Sequence, residues 1–528
     1  MARKKELQYY NGRLKGQYLT DKDCQILENL MKLSEDKDGC VEDLRHVIYN
    51  LSDDEVEQVK ANKSAEFLDL EVGELRPEQT VGVAYMYFAQ RLVLGDSVGL
   101  GKTVEVCGLC NLISQKKMKE GYTFRYLFLT EKNLVEQARN EMIKFTGEYV
   151  DILWGEKKYV KKFTEENEYE LNYSIVGPHS LINSVEFQEY MRSFRATYGC
   201  NPFDALFIDE SAVIGNTATK TYDNGKKLAS DFDWVVVMNA TPFEKDLRTF
   251  YAQINFCDET FLPTKTVFQN LYEVKAYNLG PYPKFNGEYK NQDIFKNQVK
   301  YRYFARTRKS LGAVMKDCTA DAIVTPLSKV QRELLGRTSM PQMVYDCPSY
   351  FDSTIEMDSE NTPKIGALLN LLKGKLKNSS SILVYCRYKE SMRGIQNVLL
   401  EEGISCETMN GETPMEERNN LISKFKMGDF RVLVTNVQKG LNFGHCNDCI
   451  FYSYDPNPNK MVQFEGRMTR SKDIIGKNVY LLVSKGKELS NFKKTVADRA
   501  KASDLFAGSD FSCVLSLLLD NNKLESLK

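Results

Sequence analysis

Lys102 and Thr103 close the stretch DSVGLGKT (Asp96–Thr103), which lies between a short apolar run and the start of a helical pattern. Those residue types in that order can hold a polyphosphate. Gly99 and Gly101 let backbone N–H groups turn inward, and a helix start adds its positive dipole end. Lys102 is then placed to reach β- and γ-phosphates, and the Thr103 hydroxyl to ligate magnesium. Asp96 stands where the generic G-x-x-x-x-G-K-[ST] pattern has its first glycine. Downstream, ALFIDESA puts Asp209 and Glu210 at the end of another apolar run. Hydrolysis of a metal-bound triphosphate needs one carboxylate near the magnesium and a second to orient and deprotonate water, and the pair is read in those roles. The next apolar run ends in NATP (Asn239–Pro242), a polar break suited to sensing a γ-phosphate. In the second half, QFEGRMTR spaces Gln463, Arg467 and Arg470 by four and three, which predicts one helix face carrying two arginines. Such arginines can neutralise charge on a departing phosphate.

These residues need a scaffold, and the apolar runs predict one. RLVLG (91–95), YLFLT (126–130), YSIVG (173–177), ALFID (205–209) and WVVVMNA (234–240) alternate with amphipathic stretches in the first half. SILVYC (381–386), RVLVTN (431–436), CIFYSY (449–454) and NVYLLV (478–483) do so in the second. Continuous apolar strands alternating with helices imply parallel sheets with right-handed crossovers, and ligands of such sheets sit at the carboxyl ends of strands. The expected fold is therefore α/β, with two RecA-like parallel-sheet lobes in tandem. The expected divisions are an acidic helical region (1–74), a first lobe (75–257), a basic and aromatic helical insertion without strand runs (258–318), a second lobe (319–486) and a helical tail (487–528). SDDE (Ser52–Glu55) has the spacing of a capping box.

With these motifs in this order, the chain resembles superfamily two helicases, and within them the Swi/Snf-like double-stranded DNA translocases, over roughly residues 75 to 485. LRPEQTVGV (75–83) is similar to that family's adenine-side motif, which implies Arg76 and Gln79 as nucleotide contacts. GDSVGLGKT matches its phosphate loop, Asp96 included. FIDESAVIGN is similar to the Asp-Glu-x-His box with Ala212 in place of the histidine, and MNATPF to the Gly-Thr-Pro motif with Ala240 for the glycine. VLVTNVQKGLNF resembles the fifth motif and QFEGRMTR the sixth. The resemblance implies ATP and Mg2+ as cofactors, Gln463 as a nucleotide contact, Thr241 and Gly440 as coupling residues, and Thr435, Lys439, Arg306 and Arg308 as DNA contacts. It implies an ATP hydrolase that moves on duplex DNA. A strand-separating DNA or RNA helicase and a slowly cycling ATP-gated clamp are the rival readings.

Charge is balanced overall, at 71 basic against 72 acidic residues, but not along the chain. From Asp21 to Glu74 there are 6 basic and 16 acidic residues, a net of −10; from Phe261 to Lys316 there are 11 and 3, a net of +8. Such asymmetry points to local binding surfaces. The acidic region is expected either to lie on the basic DNA-facing surface as a restraint or to dock another protein. Lys157, Lys158, Lys161, Lys162, Lys296, Lys300 and Arg302 are further backbone-contact candidates. Thirteen cysteines and three histidines are too scattered for a disulfide framework or a metalloenzyme, and the pairs Cys107/Cys110 and Cys446/Cys449 lack convergent partners for zinc. No span long enough for a membrane and no signal peptide is read; the expected setting is cytoplasmic, nucleoid-associated, or nuclear or viral by origin, and not secreted.

Overall fold

The computed structural model of the chain describes residues 19–35, 72–168, 171–240, 247–275, 285–308, 310–311, 314–377, 381–437, 441–455, 458–469 and 473–494. Thr241, Lys439, Gly440, Arg470, the Ser52–Glu55 box and most of the tail lie outside the described residues. The chain divides into two compact units that part after Gly312.

The first unit is built on a parallel seven-stranded sheet. Its strands are β1 (Arg91–Leu94), β2 (Tyr126–Thr130), β3 (Val150–Ile152), β4 (Ser174–Pro178), β5 (Ala205–Ile208), β6 (Trp234–Met238) and, after a hairpin of β7 (Glu273–Lys275) with β8 (Phe285–Tyr289), β9 (Tyr303–Phe304). The spatial order is β3-β4-β2-β5-β6-β1-β9. Strands β1, β2 and β5 are buried throughout, as runs with helices on both faces must be. Removing one Val, Leu or Ile side chain from water contributes about 1.5–3 kcal/mol, so these runs fix the register of the sheet. The segment 258–318, expected to be helical and without strands, supplies β9 as the edge partner of β1 and so belongs largely to this unit.

Part of the acidic region belongs to it as well. Helix Asp21–Glu35 buries Leu27 and Leu30 completely in the first unit's core, while Glu28 accepts from Lys300 Nζ at 2.8 Å and from the Tyr301 hydroxyl at 2.5 Å. Those two hydrogen bonds hold the Glu28 carboxyl below its ordinary pKa.

The second unit carries a parallel six-stranded sheet of β11 (Thr319–Thr325), β12 (Ile382–Tyr385), β13 (Cys406–Met409), β14 (Val432–Thr435), β15 (Asp448–Phe451) and β17 (Asn478–Ser484), in the order β11-β17-β15-β12-β14-β13. A short pair of β10 (Met315–Lys316) with β16 (Ile474–Ile475) stands beside it. The two parallel sheets expected from the apolar runs are both present. Among the described residues no helix is long and apolar enough to cross a membrane.

Candidate nucleotide-binding site

At the carboxyl end of β1 the chain turns through Asp96–Gly101 and enters helix Lys102–Lys119. Gly99 and Gly101 take φ of +86° and +90°, a conformation that strains any residue with a Cβ. Gly101 has a second reason to be glycine, because a Cβ there would lie 2.5 Å from Gln79 Nε2. Lys102 Nζ donates to the Asp96 carbonyl at 2.7 Å, so the ammonium is folded over the turn. Thr103 follows it in the first helical turn, half-buried.

Arg76 and Gln79, at the start of helix Pro77–Ala89, lie against this turn. Gln79 Nε2 donates to the Leu100 carbonyl at 3.0 Å, Arg76 Nη2 donates to the same oxygen, and the Arg76 N–H donates to Gln79 Oε1 at 3.0 Å. The structure therefore brings Arg76, Gln79, Gly99, Gly101, Lys102 and Thr103 to one place. The donor set and the two left-handed glycines fit a bound triphosphate. Asp96 is different. It is fully buried, and its carboxylate is taken up by Arg306 rather than left at the turn.

Two strands over from β1 in the same sheet, β5 delivers Asp209 and Glu210, both half-buried. Glu210 sits at φ +50°, ψ 54°, left-handed backbone for a residue with a side chain. That conformation costs of the order of 1–2 kcal/mol and bends the chain sharply off the strand. It is held in place: the Asp209 N–H donates to the Leu129 carbonyl (2.8 Å), His179 donates from Nε2 to the Asp209 carbonyl (2.7 Å), and the Glu210 N–H donates to Asp209 Oδ1 (2.9 Å). Ala212 is exposed in the turn that follows. Its neighbour Ser211 is buried and donates to Gln253 Oε1 at 2.6 Å, an oxygen that also accepts from Asn239 Nδ2 at 3.4 Å. Gln253 thus bridges the ends of β5 and β6. Neither His179 nor Gln253 was singled out by spacing, although His179 directly follows the apolar run of β4.

A SNF2-related domain matches residues 78–386, and a helicase conserved C-terminal domain matches residues 363–472. The chain belongs to the SNF2-related family. This SNF2-related chain is 20% identical to the mouse DNA repair and recombination protein RAD54B over 493 residues, covering 79% of itself and 54% of that protein. It is 21% identical to the Bacillus subtilis ATP-dependent helicase YqhH over 478 residues, covering 83% of itself and 80% of that protein. Among solved structures it is similar to the Sulfolobus solfataricus SWI2/SNF2 ATPase core in complex with dsDNA, at 17% identity and a TM-score of 0.39, covering 86% of this chain and 98% of that one. The chain spans about half the length of the RAD54B proteins it matches.

In the second unit of this SNF2-related chain the sixth-motif helix is shorter than its spacing predicts. Helix Pro458–Glu465 carries Gln463, which is buried, but ends before Arg467. Gly466 opens a turn in which the Arg467 N–H donates to the Phe464 carbonyl (3.0 Å), and the Arg467 carbonyl accepts from the Phe443 N–H (2.9 Å). Gln463 and Arg467 therefore do not share one continuous helix face.

The expected DNA contacts fare unevenly. Thr435 is fully buried at the end of β14, with its Oγ1 accepting from the Val437 N–H at 3.0 Å. Arg302, Arg306 and Arg308 are also buried, at 0%, 2% and 4% exposure, which leaves them no surface to offer a phosphate backbone. Their positive charge signalled a surface; burial in an ion pair, as for Arg302 and Arg306, is the other place an arginine fork is favoured. Arg302 donates to Asp258 Oδ2 from Nε (3.0 Å) and Nη2 (2.9 Å). Three of the four exposed lysines of helix Lys157–Glu166 are tied to Glu186 (Lys157), Glu165 (Lys161) and Glu166 (Lys162), and Lys158 lies over the Tyr159 ring. The cysteines of both C-x-x-C pairs are buried, and burial pushes the Cys107, Cys110 and Cys449 thiols up.

Proposed function

We propose that this chain is an ATP-driven motor that hydrolyses ATP with magnesium and moves along double-stranded DNA, remodelling or displacing what is bound there. One observation carries the reading: a left-handed glycine turn with Lys102 and Thr103, backed by Arg76 and Gln79, lies at the carboxyl end of the same parallel sheet as the Asp209–Glu210 pair. Lys102 binds the β- and γ-phosphates, and Thr103 and Asp209 hold the magnesium, which supplies charge neutralisation there. Glu210 takes the proton of the attacking water. Arg467 and Arg470 neutralise charge on the departing phosphate. Thr241 and Gly440 couple the nucleotide to movement, and Lys439 contacts the DNA backbone. Membership of the SNF2-related family and the mouse relative's name, a DNA repair and recombination protein, support DNA as the track.

The test is steady-state ATPase activity without nucleic acid, then with duplex DNA, single-stranded DNA and RNA, beside Glu210→Gln. Stimulation by duplex is expected, with Glu210→Gln lowering kcat by ~10²- to 10⁴-fold. Preference for single strands or RNA would replace this reading with a strand-separating helicase. Nucleotide binding without stimulated turnover would replace it with an ATP-gated clamp.

A further inference from the structure

Arg306 touches every element from which the phosphate-binding turn is built. The β1–β9 pairing continues past both strands: the Gly95 N–H donates to the Phe304 carbonyl (2.8 Å), and the Ser97 N–H to the Arg306 carbonyl (3.0 Å). The Arg306 N–H returns a bond to Asp96 Oδ1 at 2.7 Å. Its guanidinium grips the same carboxylate through Nε, 3.1 Å from Oδ2, and through Nη2. Nη2 also reaches Glu105 Oε1 at 2.5 Å in the helix that follows the turn, and Nη1 donates to the Glu78 carbonyl beside Gln79. The Phe304 ring lies 4.9 Å from the guanidinium carbon. A lysine has no fork to serve three elements at once.

The cluster is closely packed. A Cβ on Gly82 would lie 2.4 Å from Glu105 Oε2 and 2.9 Å from Arg306 Nη2. Two carboxylates around one cation leave a surplus negative charge in a dry place. Glu105 Oε2 finds no hydrogen-bond partner among the described residues.

The same residue stands at the exit of the first unit, which ends at Gly312. Directly after it the chain forms a closed turn: the Thr307 N–H donates to Ser310 Oγ (2.9 Å), the Ser310 N–H to Thr307 Oγ1 (2.8 Å), and the Leu311 N–H to the Thr307 carbonyl (3.1 Å). We infer that Arg306 is a positioning residue that joins the phosphate-binding turn, the Gln79 helix and the segment leaving the first unit into one rigid piece. The state of the nucleotide site is thereby carried into residues 307–311. The inference rests on the proposal that the site binds ATP.

Arg302 provides a matched control. It lies on the same segment and is likewise buried and ion-paired, but with a single carboxylate, Asp258, which is outside the phosphate-binding turn. The experiment compares the full chain with Arg306→Lys, Asp96→Asn and Arg302→Lys. It measures KM and kcat for ATP, the affinity for a non-hydrolysable ATP analogue with magnesium, Tm, and hydrogen exchange of the 303–311 peptide with and without the analogue. Arg306→Lys is expected to raise KM and the analogue's Kd about ten-fold and to abolish analogue-dependent protection of that peptide. Arg302→Lys is expected to lower Tm while leaving KM and the protection intact. Asp96→Asn keeps the shape of the cluster and gives the same direction should Arg306→Lys fail to fold. Unchanged KM in Asp96→Asn, or a 303–311 peptide in the unaltered chain that ignores a bound analogue, would overturn the inference. An unaltered chain that does not bind the analogue at all would overturn the ATP reading beneath it.

Discussion

Each unit of the molecule buries two carboxylates around one cation, and the two clusters are used differently. In the first unit Asp96, Arg306 and Glu105 lie between the turn Asp96–Gly101 and its neighbouring helices. In the second, Lys364 Nζ donates to Asp346 Oδ1 (2.9 Å), Glu488 Oε1 (2.7 Å) and the Tyr452 carbonyl (3.2 Å), while the Ser484 N–H and Gln342 Nε2 each donate to Glu488 at 2.6 Å. All three ions of that cluster are buried to 1% exposure or less. Its partners are structural: helices Pro341–Asp346 and Pro363–Lys375, and the helical residues 487–494. The choice of cation follows the task. An arginine fork binds several elements in fixed directions, whereas an ammonium is a point charge that closes one pocket.

The strongest way to test that division is to remove the ammonium. Lys364→Met leaves Asp346 and Glu488 facing each other with no cation, which is expected to destabilise the second unit by about 3–5 kcal/mol. Urea denaturation should show the loss as an earlier transition, read separately for the second unit because a two-unit chain need not unfold in one step. Nucleotide-analogue affinity, measured well below that transition, should stay unchanged. If it fell as far as for Arg306→Lys, the two clusters would not differ in role.

A neutral network in the first unit should cost less to break. Gln253→Ala removes the acceptor shared by Ser211 and Asn239 and is expected to cost about 1–3 kcal/mol in stability. If the bridge also holds the ends of β5 and β6 in register for chemistry, kcat falls with KM unchanged. A variant that loses stability alone would make Gln253 a core residue only.

The pH dependence distinguishes the first cluster further. Glu105 has a folded-state pKa of about 8, above its ordinary 4.5, because burial disfavours the ionised form. Its contribution to stability is thus complete below 4.5 and is lost as pH rises through 8. Glu105→Gln, which cannot ionise, should gain on the unaltered chain by ~1 kcal/mol or more over that window in urea denaturation. A constant difference across the range would mean that Glu105 is ionised throughout and that Arg306 carries both charges.

Much of this architecture is legible in the sequence, and the exceptions share a cause. The nine apolar runs fall on β1, β2, β4, β5, β6, β12, β14, β15 and β17. The strands that no run announced within the two large sheets are β3, β9, β11 and β13, which are the four edges. An edge strand pairs on one side only and needs no continuous apolar run; β11 alternates exposed and buried residues at its start, and β13 places Glu407 at the surface. The glycine turn was legible because its pattern is local: Gly99, Gly101, Lys102 and Thr103 lie within five residues. Arg306 was misread as a DNA contact because its partner Asp96 is 210 residues away, and charge along a sequence does not reveal which charges are buried together. Glu105 did carry a signal, as a carboxylate set among the apolar residues of TVEVCGL.

The smallest expected effect concerns the acidic helix. Glu28 links that region to the basic segment, and its side chain is 34% exposed, so its pair with Lys300 contributes no more than about 1 kcal/mol. Deleting the helix would confuse two effects, because Leu27 and Leu30 are fully buried and their loss would open the first unit's core. Glu28→Gln keeps the apolar anchor and removes the charge. If the acidic region restrains the motor, this variant should raise the DNA-free ATPase rate a few-fold while duplex-stimulated activity stays level, since an ionic restraint of this size is worth a few-fold at most. The rise should shrink as salt is added, because screening weakens the same contact in the unaltered chain. An unchanged basal rate would make the helix a fixed part of the first unit, present to cover its core rather than to control its activity.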